Sequence, residues 1–374
     1  MSGNGNLETL TKEITAFKMR EMTELSNYVV HLRKHPRLTY LFFELTDACN
    51  LSCLHCGSSC NSENNIFLPF EAIKKVIDEV SSKYFPENIM VCLTGGEPLL
   101  HPDFFEIASY ITSRGFSCGI TTNGTMVNED YAYRIVDAHI NSVMFSLDGL
   151  EENHNWLRNN RNSFLKTING IKNLRRISNG NCIVAATTVV HKKNIGELHE
   201  LYDYVKTLDL DLWRLVNVEP IGRAEKHSDL LLNKNDFIKL FEFIKEKRFN
   251  DGKMDVSFGC SHYLTPEYER MIRDTYFICG AGIYVASVLC NGDIYACLDI
   301  ERNEKLVQGN IYSDSFTDIW ENRFEFFRKD RTNLSSKCKN CPEKIFCKGD
   351  SAHTWDFGKS QPKLCINDII NKAR

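Results

Sequence analysis

Apolar and polar positions along the chain follow two alternating patterns. Apolar, β-branched or aromatic runs typical of strands lie at residues 39–45, 89–94, 116–121, 142–147, 182–190 and 212–218. Amphipathic stretches with helical spacing lie between them, at residues 70–84, 103–114, 129–138, 163–177 and 196–208. Strands that alternate with helices of this length predict βαβ units and a parallel sheet. Six strands suit either an open doubly wound sheet or a partial barrel.

The pattern changes at both ends of the chain. Residues 1–36 are polar and compatible with a helix, and His35-Pro36 marks a boundary. Residues 232–249 predict an exposed, charged helix and residues 266–275 a second helix. From Phe277 onward, short strands, turns and cysteines predict a separate domain. We therefore expect an N-terminal helical extension (1–36), an α/β unit (37–225), a helical linker (226–276) and a cysteine-rich domain (277–374).

Composition narrows the class of protein. Apolar residues make up 43% of the 374 residues and charged residues 25%, which is typical of a soluble globular protein. The formal charge of -4 gives no electrostatic basis for binding nucleic acid. No apolar run reaches membrane-spanning length, and the N-terminus lacks the layout of a secretory signal. We therefore expect a cytoplasmic protein with neither nucleic acid nor membrane as a partner.

Fifteen cysteines are many for a cytoplasmic chain. Disulfides are rare in a reducing compartment, so clustered cysteines there indicate metal binding or catalysis. They form an early group, residues 49, 53, 56 and 60, and a late group, residues 279, 290, 297, 338, 341, 347 and 365. The four between them, residues 92, 118, 182 and 260, are interpreted as small buried hydrophobic side chains.

Cys49, Cys53 and Cys56 directly follow the first predicted strand. A protein-bound [4Fe–4S] cluster normally takes four thiolates. Three closely spaced thiolates would leave one iron open to an outside ligand, which makes the cluster a site for chemistry. A structural zinc loop is the alternative, with Cys60 or His55 as a possible fourth ligand. We interpret Cys60 as a free thiol and His55 as a loop residue that packs on the cluster.

Three further motifs follow the next three strands: Gly95-Gly96-Glu97-Pro98, Thr122-Asn123-Gly124 and Ser146-Leu147-Asp148-Gly149. Because ligands bind at the carboxyl ends of parallel strands, we expect these loops to meet on one rim. The two adjacent glycines let a ligand approach the backbone, and the glutamate suits an ammonium group. The asparagine, serine and aspartate can hydrogen-bond ribose hydroxyls or an amino-acid carboxyl. Each motif alone is more often an ordinary turn, so their shared position carries the argument.

Together these motifs, within residues 38–224, resemble the radical S-adenosylmethionine (SAM) enzymes. The resemblance implies a partial (β/α)6 TIM-like barrel in which three cysteines hold a [4Fe–4S] cluster whose open iron is chelated by SAM. It implies reductive cleavage of SAM to a 5′-deoxyadenosyl radical, which abstracts a hydrogen atom from the substrate. It also implies that Glu97 binds the methionine amino group. Asn123, Ser146 and Asp148 would line the nucleoside or methionyl end, and Arg158 would contact the carboxylate.

The late cysteines resemble the C-terminal SPASM extension of that family, an iron–sulfur domain with two auxiliary [4Fe–4S] clusters. The complete ligand set of the second auxiliary cluster is matched by Cys338, Cys341, Cys347 and Cys365, with a zinc ribbon as the alternative for the first two. Cys279 and Cys297 match the first auxiliary cluster, but Ser351 stands where the family has a further cysteine. Additional ligand candidates are Cys290, Asp350 and Ser351. A degraded, smaller or absent cluster is the alternative.

SPASM-bearing members of the family mostly modify peptides, so we expect a radical SAM oxidoreductase that forms crosslinks or oxidises residues in a ribosomal peptide. The alternatives are a sulfatase-maturing enzyme, a dehydrogenase of a small-molecule alcohol, and a non-catalytic iron–sulfur or zinc interaction protein. The expected partners are the peptide, an electron donor such as flavodoxin or ferredoxin, and a separate leader-binding protein, since about 36 residues precede the barrel. Asp299 is a candidate base. Structural roles are expected for His154, Trp156, His353 and Trp355.

Overall fold

The computed structural model describes residues 3–259 and 262–371, with side chains from residue 13 onward. The strands are β1 (Tyr40–Glu44), β2 (Met90–Thr94), β3 (Ser117–Thr122), β4 (Ser142–Ser146), β5 (Ile183–Val190), β6 (Leu212–Asn217), β7 (Asp255–Phe258), β8 (Val285–Val288), β9 (Asp293–Tyr295), β10 (Gly309–Asn310), β11 (Trp355–Asp356) and β12 (Gln361–Pro362). The α-helices are α1 (Gly3–Lys34), α2 (Phe70–Lys83), α3 (Phe104–Ser113), α4 (Glu129–Asp137), α5 (Glu151–Arg158), α6 (Ser163–Ser178), α7 (Leu198–Lys206), α8 (Lys234–Glu246), α9 (Phe316–Asn322), α10 (Glu325–Arg328), α11 (Ser336–Lys339), α12 (Lys344–Cys347) and α13 (Ile366–Asn371).

The central sheet has the order β10-β9-β8-β1-β2-β3-β4-β5-β6-β7. Strands β1 to β7 are parallel and lie next to each other in chain order. A doubly wound sheet reverses its strand order, whereas a barrel does not. The structure therefore confirms the partial (β/α)6 barrel and the six predicted strands.

Alternate side chains along each strand point to opposite faces of the sheet, and one of these faces packs against the helices. In β1, Leu41 and Phe43 are fully buried, and they are paired in register with Val91 and Leu93 of β2. Helix α2 buries apolar residues spaced by three and four, Ile73, Val76, Ile77 and Val80, as expected of a helix with one packed face. Each such side chain stabilises the fold by about 1.5–3 kcal/mol when it is fully buried. The opposite strand face is left for the barrel interior.

Two predictions about the segment after β6 are wrong. Helix α8 is not exposed, because Phe237, Leu240, Phe241, Phe243 and Ile244 are buried in the main core. Residues 266–275 form turns instead of a helix. Arg270 has a positive φ of 66°, and both carboxylate oxygens of Glu269 accept backbone amides outside the segment, from Leu264 and Phe277. These bonds bend the chain around the glutamate.

The sheet continues into the cysteine-rich region. Strand β8 pairs in parallel with β1, and β9 returns antiparallel to β8. The expected boundary near residue 277 therefore does not interrupt the sheet. Helix α1 packs on the same region, where Ser26 Oγ donates to the Ile345 carbonyl at 2.7 Å. No helix within residues 3–259 and 262–371 combines the length and the apolar character needed to cross a membrane.

Candidate functional site

The three-cysteine loop leaves β1 and turns back over the end of the barrel. The Cys49 amide donates to the Asn61 carbonyl at 2.9 Å, which closes the loop at its base. Cys49 and Cys53 are buried and Cys56 is partly exposed. All three line one cavity of about 550 Å³, which lies at the carboxyl ends of the strands. The first predicted motif is therefore at the mouth of the barrel.

The same cavity collects the ends of the neighbouring strands. At the ends of the strands its wall includes Thr94 of β2, Thr121 and Thr122 of β3, and Ser146 of β4. It also includes residues beyond the strands: Gly95, Gly96, Asn123, Arg158 of α5, Gly222, Arg223 and residues 298–302. The expectation that four loops converge on one rim agrees with this placement. Glu97 and Asp148 lie behind the wall, fully buried.

Gly95 and Gly96 let two loops touch. The Gly96 amide donates to the Thr46 carbonyl at 2.7 Å. A Cβ atom added to Gly96 would lie 2.0 Å from the Ala48 carbonyl oxygen, and Gly95 has a φ of 149°. Any larger residue would therefore push the three-cysteine loop away from β2.

Glu97 connects the β2 and β3 loops from behind. Its carboxylate accepts the Thr122 hydroxyl at 2.7 Å, the Asn123 amide at 2.8 Å and the Leu99 amide at 3.3 Å. Burial raises the pKa of Glu97 to about 7, although these hydrogen bonds favour the charged form. The glutamate thus fixes the position of Asn123, which forms part of the cavity wall.

Asn123 in turn contacts the three-cysteine loop. Its side-chain amide donates to Asn50 Oδ1 at 2.8 Å, and its Oδ1 accepts the Thr125 amide at 2.9 Å. Asn50 also donates to the Thr125 hydroxyl at 2.9 Å. The role of Asn50 was not evident in the sequence, because only the fold brings it to Asn123.

Asp148 and Arg158 form a buried ion pair beside a ligand candidate. Arg158 Nε lies 2.5 Å from Asp148 Oδ2, and Arg158 Nη1 donates to Cys53 Sγ at 3.6 Å. Burial would raise the pKa of Asp148, but the guanidinium outweighs it and lowers the pKa to about 2. The Val189 amide donates to Asp148 Oδ1 at 2.9 Å. Asp148 therefore acts on the cavity through Arg158.

The loop after β6 is hydrogen-bonded to the three-cysteine loop. The sequence analysis did not predict this contact. The Arg223 amide donates to the Cys56 carbonyl at 3.0 Å. Its guanidinium donates to the carbonyls of Cys53 at 2.7 Å and Cys60 at 2.9 Å. Gly222 has a φ of 55°, and a Cβ there would lie 2.3 Å from the Gly57 carbonyl oxygen. In the sequence, the contact could have been inferred only from the position of Gly222-Arg223 just after the sixth predicted strand.

Cys60 and His55 both line the cavity. Cys60 is 2% exposed, and a hydrogen bond from its thiol lowers the pKa of Cys56 to about 6. Burial lowers the pKa of His55 to about 3, so its ring is neutral. Its Nδ1 is buried with no hydrogen-bond partner among the described residues. Both residues lie where they can pack on a cluster.

A second cavity of about 480 Å³ is lined by the complete late set, Cys338, Cys341, Cys347 and Cys365. Helices α11 and α12 carry the first and third of these, and the last directly precedes α13. Burial raises the pKa of Cys365 to about 11 and that of Cys347 well above its usual value. Four thiols that converge on one space match the donor set of a [4Fe–4S] cluster.

Both cavities fit a cluster better than a single ion. Among the described residues, no three His, Cys, Asp or Glu side chains gather closely enough to ligate one metal ion. Thiolates that bind separate irons of a cubane stand around a larger space. The two cavities, each with four cysteines on its wall when Cys60 is included in the first, offer that space.

The remaining late cysteines do not converge. The Cys279 thiol accepts the Ala352 amide at 3.3 Å, whereas the Cys290 amide donates to Glu44 Oε2 at 3.3 Å, at the other end of β8. Cys290 therefore cannot join Cys279 and Cys297 at one cluster, which corrects that expectation. Asp350 and Ser351 are both buried.

Asp299 lies on the wall of the first cavity and is exposed.

The aromatic residues beside these sites have structural contacts. His154 Nδ1 accepts the Asp148 amide at 3.1 Å, the Trp355 indole donates to the Gly349 carbonyl, and Lys193 lies 4.0 Å from the centre of the Trp156 ring.

Comparisons with known proteins agree with this geometry. The family model of the Radical SAM superfamily matches residues 43–205, and that of SPASM, an iron–sulfur cluster-binding domain, matches residues 279–342. AdoMet-dependent heme synthase of Methanosarcina barkeri is 30% identical over 365 residues, which cover 90% of this chain and 98% of the relative. Mycofactocin maturase MftC of Mycobacterium tuberculosis is 27% identical over 311 residues, which cover 83% and 77%.

Solved structures share the fold. Native anSMEcpe with bound AdoMet and Cp18Cys peptide has a TM-score of 0.67 at 21% identity, covering 89% of this chain and 92% of that chain. Streptococcus suis SuiB bound to precursor peptide SuiA has a TM-score of 0.65 at 17% identity, covering 84% and 72%. At these identities the likeness establishes the architecture alone.

Proposed function

This chain belongs to the radical SAM superfamily and carries a SPASM domain, and from that premise we propose that it oxidises a side chain of a peptide substrate. The enzyme class and its cofactors, SAM and [4Fe–4S] clusters, follow from the family. The identity of the substrate is our proposal, and the main observation in its support is the size of the first cavity.

The cofactors supply the radical chemistry: reductive cleavage of bound SAM yields a 5′-deoxyadenosyl radical, which takes a hydrogen atom from the substrate. The residues of this chain would hold the cluster and SAM. Cys49, Cys53 and Cys56 would ligate the cluster. The backbone of Gly95 and Gly96 and the side chains of Asn123 and Ser146 would contact SAM, as their place on the cavity wall allows.

Glu97, Asp148 and Arg158 would act on this site in two ways. Glu97 lies behind the wall and holds Asn123 in place. Arg158 is on the wall, oriented by Asp148, with one nitrogen directed at Cys53. We propose that Arg158 contacts the ligand carboxylate with its remaining donors, while the other two are positioning residues.

The cavity volume favours a substrate that enters with one side chain. Pockets of this size, about 550 Å³, hold one drug-sized ligand, and SAM is such a ligand. Little space remains for a second bulky molecule. The exposed lining residues Gly57, Ser58, Ser59 and Asp299 open the cavity to the surface, where the rest of a peptide can lie. The relatives named as a mycofactocin maturase and as SuiB bound to a precursor peptide support this choice.

Asp299 is the proposed proton acceptor. Loss of two hydrogens from a substrate removes one hydrogen atom, one electron and one proton. The 5′-deoxyadenosyl radical would take the hydrogen atom, an oxidised iron–sulfur cluster of this chain would take the electron, and the proton needs a base at the site. Glu225 and Glu301 also line the cavity, but Lys363 pairs with both at 2.9 Å and 2.8 Å. Asp299 lacks such a cationic partner among the described residues.

Heme synthesis is the second candidate, because the relative of that name is 30% identical and this chain covers 98% of it. A tetrapyrrole is much larger than a side chain. This candidate therefore requires the cavity to widen, for example by movement of the lining residues 298–302.

The test is anaerobic turnover of the reconstituted full-length protein with dithionite and SAM. Peptides encoded beside the gene, and cysteine- or serine-containing sulfatase peptides, would be analysed by mass spectrometry for a loss of two hydrogens. An iron tetrapyrrole precursor would be tested in parallel by absorbance. Peptide oxidation coupled to 5′-deoxyadenosine supports the proposal. Heme formation without peptide oxidation would establish the second candidate instead.

A further inference from the structure

The three groups of cysteines that could hold clusters lie beside very different spaces. The cavity beside Cys49, Cys53 and Cys56 has a volume of about 550 Å³, and that beside the set ending in Cys365 about 480 Å³. Cys279 lines a cavity of about 20 Å³, to which Cys347 contributes and Cys297 does not. That is room for about one water molecule. A four-iron cubane needs a far larger space.

The backbone around β8 also keeps the candidate ligands apart. The carbonyl of Gly280, next to Cys279, accepts the Val285 amide at 3.0 Å, which places Cys279 at the start of β8. Cys290 lies beyond the end of β8, beside Glu44 at the end of β1. A strand rises about 3.3 Å per residue, so the first and last of the four residues of β8 are separated by about 10 Å.

Cys297 follows β9, in which Tyr295 pairs with Ser287 of the antiparallel β8. Two residues further on, Cys297 lies toward the start of β8, on the side of Cys279. Of the described cysteines, only Cys279 and Cys297 therefore share this region, and Cys260 lies outside the described residues. The other two sites each offer at least three ligand cysteines, so two thiols are fewer than either of them has.

An ion network lies next to Ser351, the position where the family has a further cysteine. His262 lies between two carboxylates, with Nε2 2.6 Å from Glu219 Oε1 and Nδ1 3.0 Å from Asp350 Oδ2. Asp350 Oδ1 also accepts the Tyr263 amide at 2.8 Å, and its carbonyl accepts the Arg331 guanidinium. His262 is fully buried and Asp350 is 3% exposed.

This network links the barrel to the cysteine-rich region. Glu219 follows β6, whereas Asp350 directly precedes Ser351, the position where the family resemblance expects a cysteine. The Ala352 amide on the other side of Ser351 donates to the Cys279 thiol at 3.3 Å. The segment that would carry a cluster ligand is thus held against Cys279 by direct contact.

We infer that this protein carries two iron–sulfur clusters, at Cys49/Cys53/Cys56 and at Cys338/Cys341/Cys347/Cys365, and that the Glu219–His262–Asp350 network replaces the first auxiliary cluster. Cys279, Cys290 and Cys297 are then thiols without iron. One consequence concerns the substrate: no auxiliary iron stands beside the first cavity to ligate it, so side chains alone hold it there.

The test counts iron and acid-labile sulfide in the anaerobically reconstituted full-length protein, with Mössbauer spectroscopy to identify the cluster type. At four irons per cubane, we expect about eight irons and eight sulfides per chain. The double variant Cys279→Ala/Cys297→Ala is expected to keep about eight. Cys338→Ala/Cys341→Ala is expected to lose about four. Cys182→Ala, a buried cysteine away from all three groups, controls for the loss of a buried thiol.

About twelve irons per wild-type chain, or about ten with a [2Fe–2S] signal, would overturn the inference. The inference would also be overturned if the Cys279→Ala/Cys297→Ala protein held two to four fewer irons than the Cys182→Ala protein, because that difference is roughly the content of one cluster. A wild-type count of about ten or twelve irons overturns the inference even if a variant does not fold, and the two double variants decide which auxiliary site holds the iron when the count is about eight. It does not depend on the substrate, so failure of the proposed function would leave it intact.

Discussion

Arg158 Nε lies 2.5 Å from Asp148 Oδ2, and both side chains are at least nine-tenths buried. The family resemblance assigns both residues to SAM. In the structure only Arg158 reaches the cavity, and one of its nitrogens contacts Cys53 Sγ. The ion pair therefore places a fixed positive charge beside a cluster ligand.

We expect Arg158→Gln to make the cluster at Cys49, Cys53 and Cys56 harder to reduce. A cation that donates to a ligand sulfur stabilises the reduced, more negative cluster, and such contacts help set cluster potentials. The expected shift is on the order of 60 mV toward negative values, a tenfold change for a one-electron couple. Potentiometric titration followed by electron paramagnetic resonance, without SAM, would measure it.

Arg175→Gln is the matched control for that shift, since Arg175 pairs with Asp209 and Asp211 before β6, at the opposite end of the barrel. Equal potentials in wild type and Arg158→Gln would show that the contact with Cys53 has no electronic effect.

Glu97 makes stability depend on pH. Its pKa is raised by burial to about 7 from the usual 4.5, so the folded state holds a proton that the unfolded state releases. The stabilisation is complete below pH 4.5 and is lost as the pH rises through 7. Between pH 5.5 and 7.5 we expect wild type to lose about 2 kcal/mol of unfolding free energy through this group.

Anaerobic urea unfolding at several pH values would test this dependence. Glu97→Gln should flatten the curve, whereas Glu129→Gln, on the exposed first turn of α4, should leave it unchanged. A wild-type curve as flat as that of Glu97→Gln would contradict the assignment.

Gly222→Ala should release the three-cysteine loop. The new Cβ would lie 2.3 Å from the Gly57 carbonyl oxygen, so either loop must move, and Arg223 would lose its bonds to the loop carbonyls. We expect a loss of about four irons, while the second cluster remains. Iron and sulfide analysis would show the change.

Gly252→Ala provides the matched control for the backbone. Gly252 has a similar φ of 59°, but a Cβ there meets nothing within 4 Å. Equal iron loss in both variants would mean that backbone strain, and not the contact with Gly57, explains the effect.

Asp299→Asn should separate SAM cleavage from product formation. If Asp299 accepts the substrate proton, product formation should fall by about 10²-fold or more, as is usual when a general base is removed. Formation of 5′-deoxyadenosine should continue, because the residue does not hold the cluster. Liquid chromatography with mass spectrometry measures both products in one sample.

Glu301→Gln is the control for Asp299→Asn, since Glu301 lines the same cavity but pairs with Lys363. Product formation by Asp299→Asn that equals that of Glu301→Gln would remove Asp299 from the mechanism.

His262→Gln should destabilise the junction between the barrel and the cysteine-rich region by about 3 kcal/mol, because the buried Asp350 and the largely buried Glu219 lose their cation. Burial alone would lower the pKa of His262, but Glu219 and Asp350 outweigh it and raise the pKa to about 10. The stabilisation is therefore complete below pH 6.5 and is lost toward pH 10. Anaerobic thermal unfolding at pH 7 and pH 9.5 would detect both effects. Iron content should stay unchanged.

Local patterns determined most of the barrel. The six strands were predictable because each is a short apolar run bounded by turns, and the helices between them each bury one face. Strand β8 was not predictable, because its four residues gain their place only by pairing with β1, far away in the chain. Glu269 and Arg273 have the spacing of a helical ion pair, but the glutamate binds amides outside the segment and bends the chain.

The sequence by itself determined which residue types meet at the barrel mouth, since cysteines, glycines and polar side chains at the ends of parallel strands must share one rim. It could not decide which of them face the cavity. The tertiary structure placed Glu97 and Asp148 behind the wall and brought Gly222 and Arg223 onto it. It also placed Cys290 and Cys279 at opposite ends of β8. Spacing along a chain sets which residues are neighbours in sequence, whereas strand pairing and packing decide which thiols share a space large enough for a cluster.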